Sequence, residues 1–329
     1  MQVIRSRSRF RVALFAALAM TAVSAHAAWP DDRPIEVYVG FAAGGGTDLL
    51  ARAMAPFLQK QLGGKARIVV VNKPGASGEI SYLSLSRAAP DGYTIGIIST
   101  PSFLTIPIQR KPKYDPAAIV PLARVIDDPT MFVVAGDSKL TSMADLVKQL
   151  KANPEGLAMG SNGIGTNGHM AALALQQATG AKVNHIPFAG TSQTKTSLLG
   201  HHIDVMAMST TEYTEADRAS KDVKVLAQLG SERRPGVVAD VPTAREQKLD
   251  ITVSSERGFA APRGLPPEIA RRLQAAIEAT VKDPEFLTRA VNEARGVSYL
   301  SGAAWSQHMV TQRGKFENLW KVASTKSPQ

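Results

Sequence analysis

The stretch Glu36-Val-Tyr-Val-Gly-Phe-Ala-Ala-Gly-Gly-Gly-Thr-Asp48 carries an apolar strand pattern into three consecutive glycines and then into a Thr-Asp pair that opens a helical pattern. Gly44, Gly45 and Gly46 remove the side chains that would hold a ligand off the backbone, and they tolerate positive φ. Thr47 is a helix-capping residue type, and the unpaired N–H groups and dipole of a helix N-terminus favour an anion there. The loop therefore reads as a cradle for a carboxylate or phosphate. An ordinary strand-to-helix turn would show the same local pattern.

Two further loops share that form. Residues 161–169 contain Gly163-Ile-Gly-Thr-Asn-Gly168 followed by His169, and residues 188–192 read Phe-Ala-Gly-Thr-Ser. Each follows an apolar strand, is rich in Gly, Ser and Thr, and opens a helix. Strand-like and helix-like stretches alternate along the chain, which predicts an α/β architecture with mainly parallel sheets. In such sheets ligands bind beyond the carboxyl ends of strands, where these loops lie. The prolines clustered between Tyr114 and Asp128 interrupt the alternation and predict a first crossover between domains. Gly258 to Pro262 predicts the return. Trp305, Met309, Phe316 and Trp320 fall on one stripe of a final amphipathic helix, read as core.

The N-terminus sets the expected compartment. Arg5, Arg7, Arg9 and Arg11 precede the apolar run Val12 to Met20, and Ala25-His-Ala27 fits a signal-peptidase site, so residues 1–27 read as a leader cleaved near Ala27. Its apolar run is too short for a permanent membrane anchor. The whole chain carries 38 Lys plus Arg against 28 Asp plus Glu, a net of +10; without the leader's four arginines 34 basic residues remain, a net of +6. That balance suits anionic ligands without specifying them. The basic residues form no stripe interleaved with aromatics, so nucleic acid is not an expected partner. With no cysteine, thiolate chemistry and Cys-ligated metal are excluded.

Gly163 to Gly168 matches G-x-G-x-x-G, but no acidic residue lies between His169 and Asp204 to hold a ribose, so a dinucleotide site is not expected. No G-x-S-x-G elbow occurs. The adjacent His201 and His202 point in different directions on any regular element, which argues against shared metal ligation. His169 at a helix start reads either as a capping or surface histidine or as a polar site contact. No cofactor or metal is called for. Hydrogen bonds from backbone and hydroxyl groups around three loops describe a binder better than an enzyme.

Those same residues resemble the Bug family, the periplasmic solute receptors of tripartite tricarboxylate transporters. The resemblance runs through Trp29-Pro30, Arg33-Pro34, Phe41 to Asp48, Asn72-Lys-Pro-Gly-Ala-Ser-Gly78 and Ala89-Pro-Asp-Gly-Tyr-Thr94. It continues through Gly163 to Thr166 with His169, Leu198-Leu-Gly200 with Ile203-Asp204, Ala261-Pro-Arg-Gly264 and Lys282-Asp-Pro284. It implies a two-lobed, type II-like Venus flytrap with hinge crossovers, closing over a small carboxylate such as an organic acid, aromatic acid or amino acid. The implied organisation is lobe 1 from 28–127 plus 253–305, lobe 2 from 128–252, and residues 306–329 as a helix on the body. The protein would be periplasmic and monomeric, with membrane permease subunits or a sensor domain as partners.

By that resemblance Phe41 lies against the ligand, and Ala43, Gly44, Gly45, Gly46, Thr47 and Asp48 organise its first carboxylate. Ser161, Gly165, Thr166 and His169 serve the second loop, while Phe188, Ala189, Gly190 and Thr191 complete the wall. Thr100 joins the set, and Asp204 orders the cleft or accepts a ligand amine. Replacing Thr47 or Asp48 with Ala is expected to weaken binding with little loss of stability. The family usually has proline at the positions of Gly40 and Ala43, and often tyrosine and lysine where Phe188 and Ala189 stand. Fewer polar groups there favour a monocarboxylate, an aromatic acid or a mixed acid over citrate. An exported hydrolase or lyase acting on a carboxylated substrate is the alternative; its signature would be a titratable pair beside the ligand.

Overall fold

The computed structural model describes residues 29–292 and 296–325, so the leader read in residues 1–27 lies outside the described residues. The chain forms β1 (Ile35–Val39), α1 (Gly46–Leu62), β2 (Ile68–Asn72), α2 (Glu79–Ser86), β3 (Thr94–Ser99), α3 (Ser102–Gln109) and β4 (Ile119–Ala135). There follow α4 (Met143–Ala152), β5 (Ala158–Ser161), α5 (Asn167–Thr179), β6 (Asn184–Pro187), α6 (Thr191–Leu199), β7 (Val205–Ser209), α7 (Glu215–Ser220) and β8 (Val223–Gln228). The remainder comprises β9 (Ser254–Pro262), α8 (Pro267–Lys282), α9 (Pro284–Asn292), β10 (Val297–Ser301) and α10 (Gly302–Thr325).

Strand β4 belongs to two sheets. Its residues up to Pro129 pair antiparallel with β9, and from Thr130 onward they pair with β7 and β8. On the first side the order continues through β3 and β1 to β2, with β1, β2 and β3 parallel. On the second side β7, β5 and β6 are parallel. The result is a two-lobed α/β fold joined through one long strand. Within the stretch from Tyr114 to Asp128, where the alternation was expected to lapse, residues from Ile119 onward are continuous strand, and the chain passes between sheets along that strand. Pro121 borders one of two register shifts against β9, where a missing N–H is tolerated. Pro129 sits at the handover itself.

Each lobe closes its own core. In the first, Val37, Leu50, Met54, Ile97, Phe259 and Ile277 pack between the sheet and α1 and α8; in the second, Phe132, Leu146, Met159, Met170, Leu175 and Val205 do the same work. Each such side chain contributes roughly 1.5–3 kcal/mol by leaving water. Helix α1 continues through Pro56 and ends at Gly63, whose φ of +68° suits glycine.

Helix α10 straps the two cores together. Trp305 and Met309 pack with Tyr82, Phe103 and Tyr114 of the first lobe, whereas Phe316, Leu319 and Trp320 pack on the second. The fully buried Trp305 also donates its indole N–H to Glu256 Oε2 at 2.9 Å. Gly258 makes room for that ring, since a Cβ there would fall 2.7 Å from it and 2.1 Å from Ala123 O. Trp305→Ala should therefore lower unfolding free energy by about 3–5 kcal/mol. Urea titration checks this, and a loss under 1 kcal/mol would show that the strap is not structural.

Candidate functional site

Four helices point their N-termini into one narrow cleft between the lobes. Its walls include Gly46 and Thr47 at the start of α1, Ser102 at the start of α3, Asn167 at the start of α5, and Thr191 and Ser192 at the start of α6. The first-turn N–H groups of a helix have no acceptor within it, and its dipole places partial positive charge at the same end. Ser99, Thr100, Asn162, Thr166 and Ser255 add polar atoms, while Phe41, Ala42 and Pro101 add apolar surface. The cleft is tight, and its roughly 430 Å3 of empty space includes the solvent at its mouth.

Two charged side chains complete the lining. Arg257, on β9, is 2% exposed; its Nη1 pairs with the fully buried Asp128 at 2.5 Å and its Nη2 donates to Ser209 Oγ at 2.8 Å. Its Nε and the Oδ1 of Asn162 are buried without a hydrogen-bond partner among the described residues. Such atoms are costly to leave unpaired. The second charge is Glu212, in the short turn after β7. Its carboxylate accepts from Gly46 N at 2.9 Å, Thr191 Oγ1 at 2.8 Å and Ser209 N at 2.8 Å.

The lobes meet closely around this cleft. Ser77 Oγ donates to Ile164 O and Thr105 Oγ1 to Gly165 O, both at 2.7 Å. Asp128 also accepts from the hydroxyls of Thr210 and Thr211 at 2.6 Å each.

Of the residues singled out in the sequence, Phe41, Gly45, Gly46, Thr47, Thr100, Thr166, Gly190 and Thr191 line the cleft. Phe188 and Ala189 line an adjoining cavity that shares Phe41 and Asn162 with it. Thr47 does not cap α1: Gly45 is the N-cap residue, Thr47 Oγ1 faces Ser99 Oγ at 3.3 Å, and Glu212 from the other lobe satisfies the first amide. Ala43 and Gly44 are exposed behind the loop, where Gly44 adopts φ +80°.

Asp48 points away from the cleft and ties the loop together. It accepts from Gly44 N and Asn72 Nδ2 at 2.9 Å and from Arg52 Nε at 3.0 Å. Burial raises its carboxyl pKa, but Arg52, the Gly44 amide and Asn72 outweigh it and hold the group below the ordinary range. Its removal should therefore cost stability, against the expectation from sequence. Asp204 is exposed at the start of β7, accepting from Ala158 N at 2.8 Å, remote from the helix N-termini.

Ser161, Gly165 and His169 form a brace behind the second loop. His169 Nδ1 accepts from Gly165 N at 3.0 Å, its ring stacks on His185 with centroids 4.2 Å apart, and His185 Nε2 lies 2.7 Å from Ser161 Oγ. Burial, reinforced by the neighbouring His185, lowers His169 to about 3, and burial lowers His185 to about 4. The unfolded chain takes up protons below about pH 6.5 while the fold refuses them, so stability falls as pH drops from 6.5 towards 4. The loss is at most about 1.4 kcal/mol per pH unit for each histidine. His185→Gln should reduce that slope by about half in urea titrations at pH 7.5, 5.5 and 4.5; unchanged slope would place the proton uptake elsewhere. In the same assay Asp48→Ala should cost about 1–3 kcal/mol at pH 7.5, and no loss would count against the bracing role.

Glu212, Arg257, Asn162 and Ser102 went unread in the sequence. The available signal lay in the strands: Glu256-Arg257 and Asp127-Asp128 put opposite charges into otherwise apolar runs.

Comparison with known proteins agrees with this architecture. Residues 50–315 match the family model described as "Tripartite tricarboxylate transporter family receptor". Protein BugT of Bordetella pertussis is 33% identical over 263 residues, 78% of this chain and 79% of that protein. The periplasmic binding protein BugD is 31% identical and superposes with a TM-score of 0.81 over 89% of this chain and 98% of its own. MatC of Rhodopseudomonas palustris, solved with bound malate, is 25% identical with a TM-score of 0.79 over 88% and 99%. The chain belongs to the tripartite tricarboxylate transporter receptor family, the Bug family of periplasmic solute-binding proteins.

Proposed function

We propose that this receptor captures a small carboxylate in the cleft between its lobes and delivers it to a tripartite tricarboxylate-type permease or a sensor domain. The convergence of four helix N-termini on one cleft carries this reading. Backbone amides and dipoles there receive a negative charge without needing a lysine. Arg257, which lines the same cleft, adds positive charge to that wall. The malate held by MatC is an acid of this class.

The exported chain would start near Ala28 and act as a monomer. The moving units in this reading are 28–127 plus 253–305 and 128–252, hinged where β4 passes between sheets and β9 begins beside it. Ligand shifts the open–closed balance by its preference for the closed form. A hydrolase or lyase in the same cleft has less support. Among the described residues the titratable side chains lining it are Glu212 and Arg257, each held in hydrogen bonds to the protein. His169 and Asp48, the titratable side chains of the second and first loops, both brace those loops from behind.

A thermal-shift screen of residues 28–329 against monocarboxylates, dicarboxylates, tricarboxylates, amino acids and benzoate-like acids tests the proposal. A ligand that binds only the folded state raises the melting temperature by mass action. The expected result is a saturable rise with the acid recovered unchanged. Conversion of the acid, or no rise with any member, would overturn it.

A further inference from the structure

Glu212 stands where a ligand's carboxylate would be received. Oε1 takes the first amide of α1, from Gly46, and the Thr191 hydroxyl at the start of α6; Oε2 takes the Ser209 amide. Gly46 and Thr191 lie on opposite lobes. One carboxylate bridging a helix N-terminus on each side is the arrangement expected of a bound acid, and here the chain supplies it.

The cationic partner is committed in the same way. Arg257 gives Nη1 to Asp128 and Nη2 to Ser209, so much of its charge is already answered within the protein. No charged residue besides Arg257 and Glu212 lines the cleft among the described residues. With Asp128 behind the guanidinium, the formal side-chain charge at the site is −1. The N-termini of α3, α5 and α6 are left for an incoming anion, and Phe41, Ala42 and Pro101 offer apolar surface to the rest of it.

We infer that Glu212 is a specificity-determining residue that occupies the α1 N-terminus in place of a ligand carboxylate and restricts the receptor to acids with a single carboxylate. This rests on the carboxylate-receptor reading above. A second carboxylate on the ligand must either displace Glu212 from Gly46 and Thr191 or lie beside it without a counter-ion. Like charges in a closed, poorly hydrated site repel strongly.

Isothermal titration at pH 7.5 with matched acids tests the inference: butyrate against succinate, hexanoate against adipate, and benzoate against terephthalate. The wild type should bind at least one monocarboxylate tenfold or more tightly than its dicarboxylate partner. Glu212→Ala should narrow or reverse that ratio by tenfold or more, and Glu212→Gln, which keeps the shape and removes the charge, should move it the same way. A wild type that binds a dicarboxylate as tightly as its partner overturns the inference. So does an unchanged ratio in a folded variant. If neither variant folds, the wild-type ratio decides alone. Failure to bind any acid of either kind overturns the receptor reading itself, a result distinct from a lost preference among acids that do bind.

Discussion

Four helix N-termini gathered into one narrow cleft are the constraint on which this molecule turns. Buried N–H groups need acceptors, and aligned helix dipoles need negative charge near them. The structure answers with Glu212, which reaches from the second lobe to the first amide of α1. That bond also draws the lobes together. Closure and anion binding thereby become aspects of one electrostatic requirement.

The junction beneath the cleft obeys the same logic. Strand β4 carries the chain between sheets with β9 paired alongside it, and there the buried pairs Arg257–Asp128 and Arg124–Glu256 lie at 2.5 and 2.6 Å. Buried ion pairs add little net stability compared with apolar packing, yet losing one partner leaves a costly orphan charge. Each pair is therefore extended by further bonds. Asp128 accepts from Thr210 and Thr211, and Glu256 accepts from Trp305 of the strap helix. Packing on the far side and polar bonding on the cleft side thus meet at adjacent residues of β9.

Much of the fold was legible because its signals are local. Alternating apolar runs, Gly63 and Gly180 at helix ends, and the three glycine-rich loops all mark boundaries that short-range physics sets. The two-lobed form followed from the family resemblance. Pro116 and Pro121 misled, since a proline run reads as a break, whereas a short turn before β4 takes the first and a register shift borders the second. Within the site, loop position revealed Gly46, Thr166 and Thr191 but not the direction of each side chain. Asp48 and His169 occupy loop ends yet turn inward to brace them, which only tertiary contacts decide. Glu212 and Arg257 sit far along the chain from Gly46 and meet it only after folding. Nothing near them in sequence announces that meeting, although paired charges in apolar strands are a hint.

The central claim is that a ligand's carboxylate is held by helix N-terminal amides within the closed cleft. A crystal structure of the protein with the acid identified by screening tests it most directly. The account predicts a carboxylate within hydrogen-bond distance of first-turn amides of α3, α5 or α6, between closed lobes, with Glu212 still on Gly46. An acid bound outside this cleft, or held there through contacts that leave those amides unused, would contradict it.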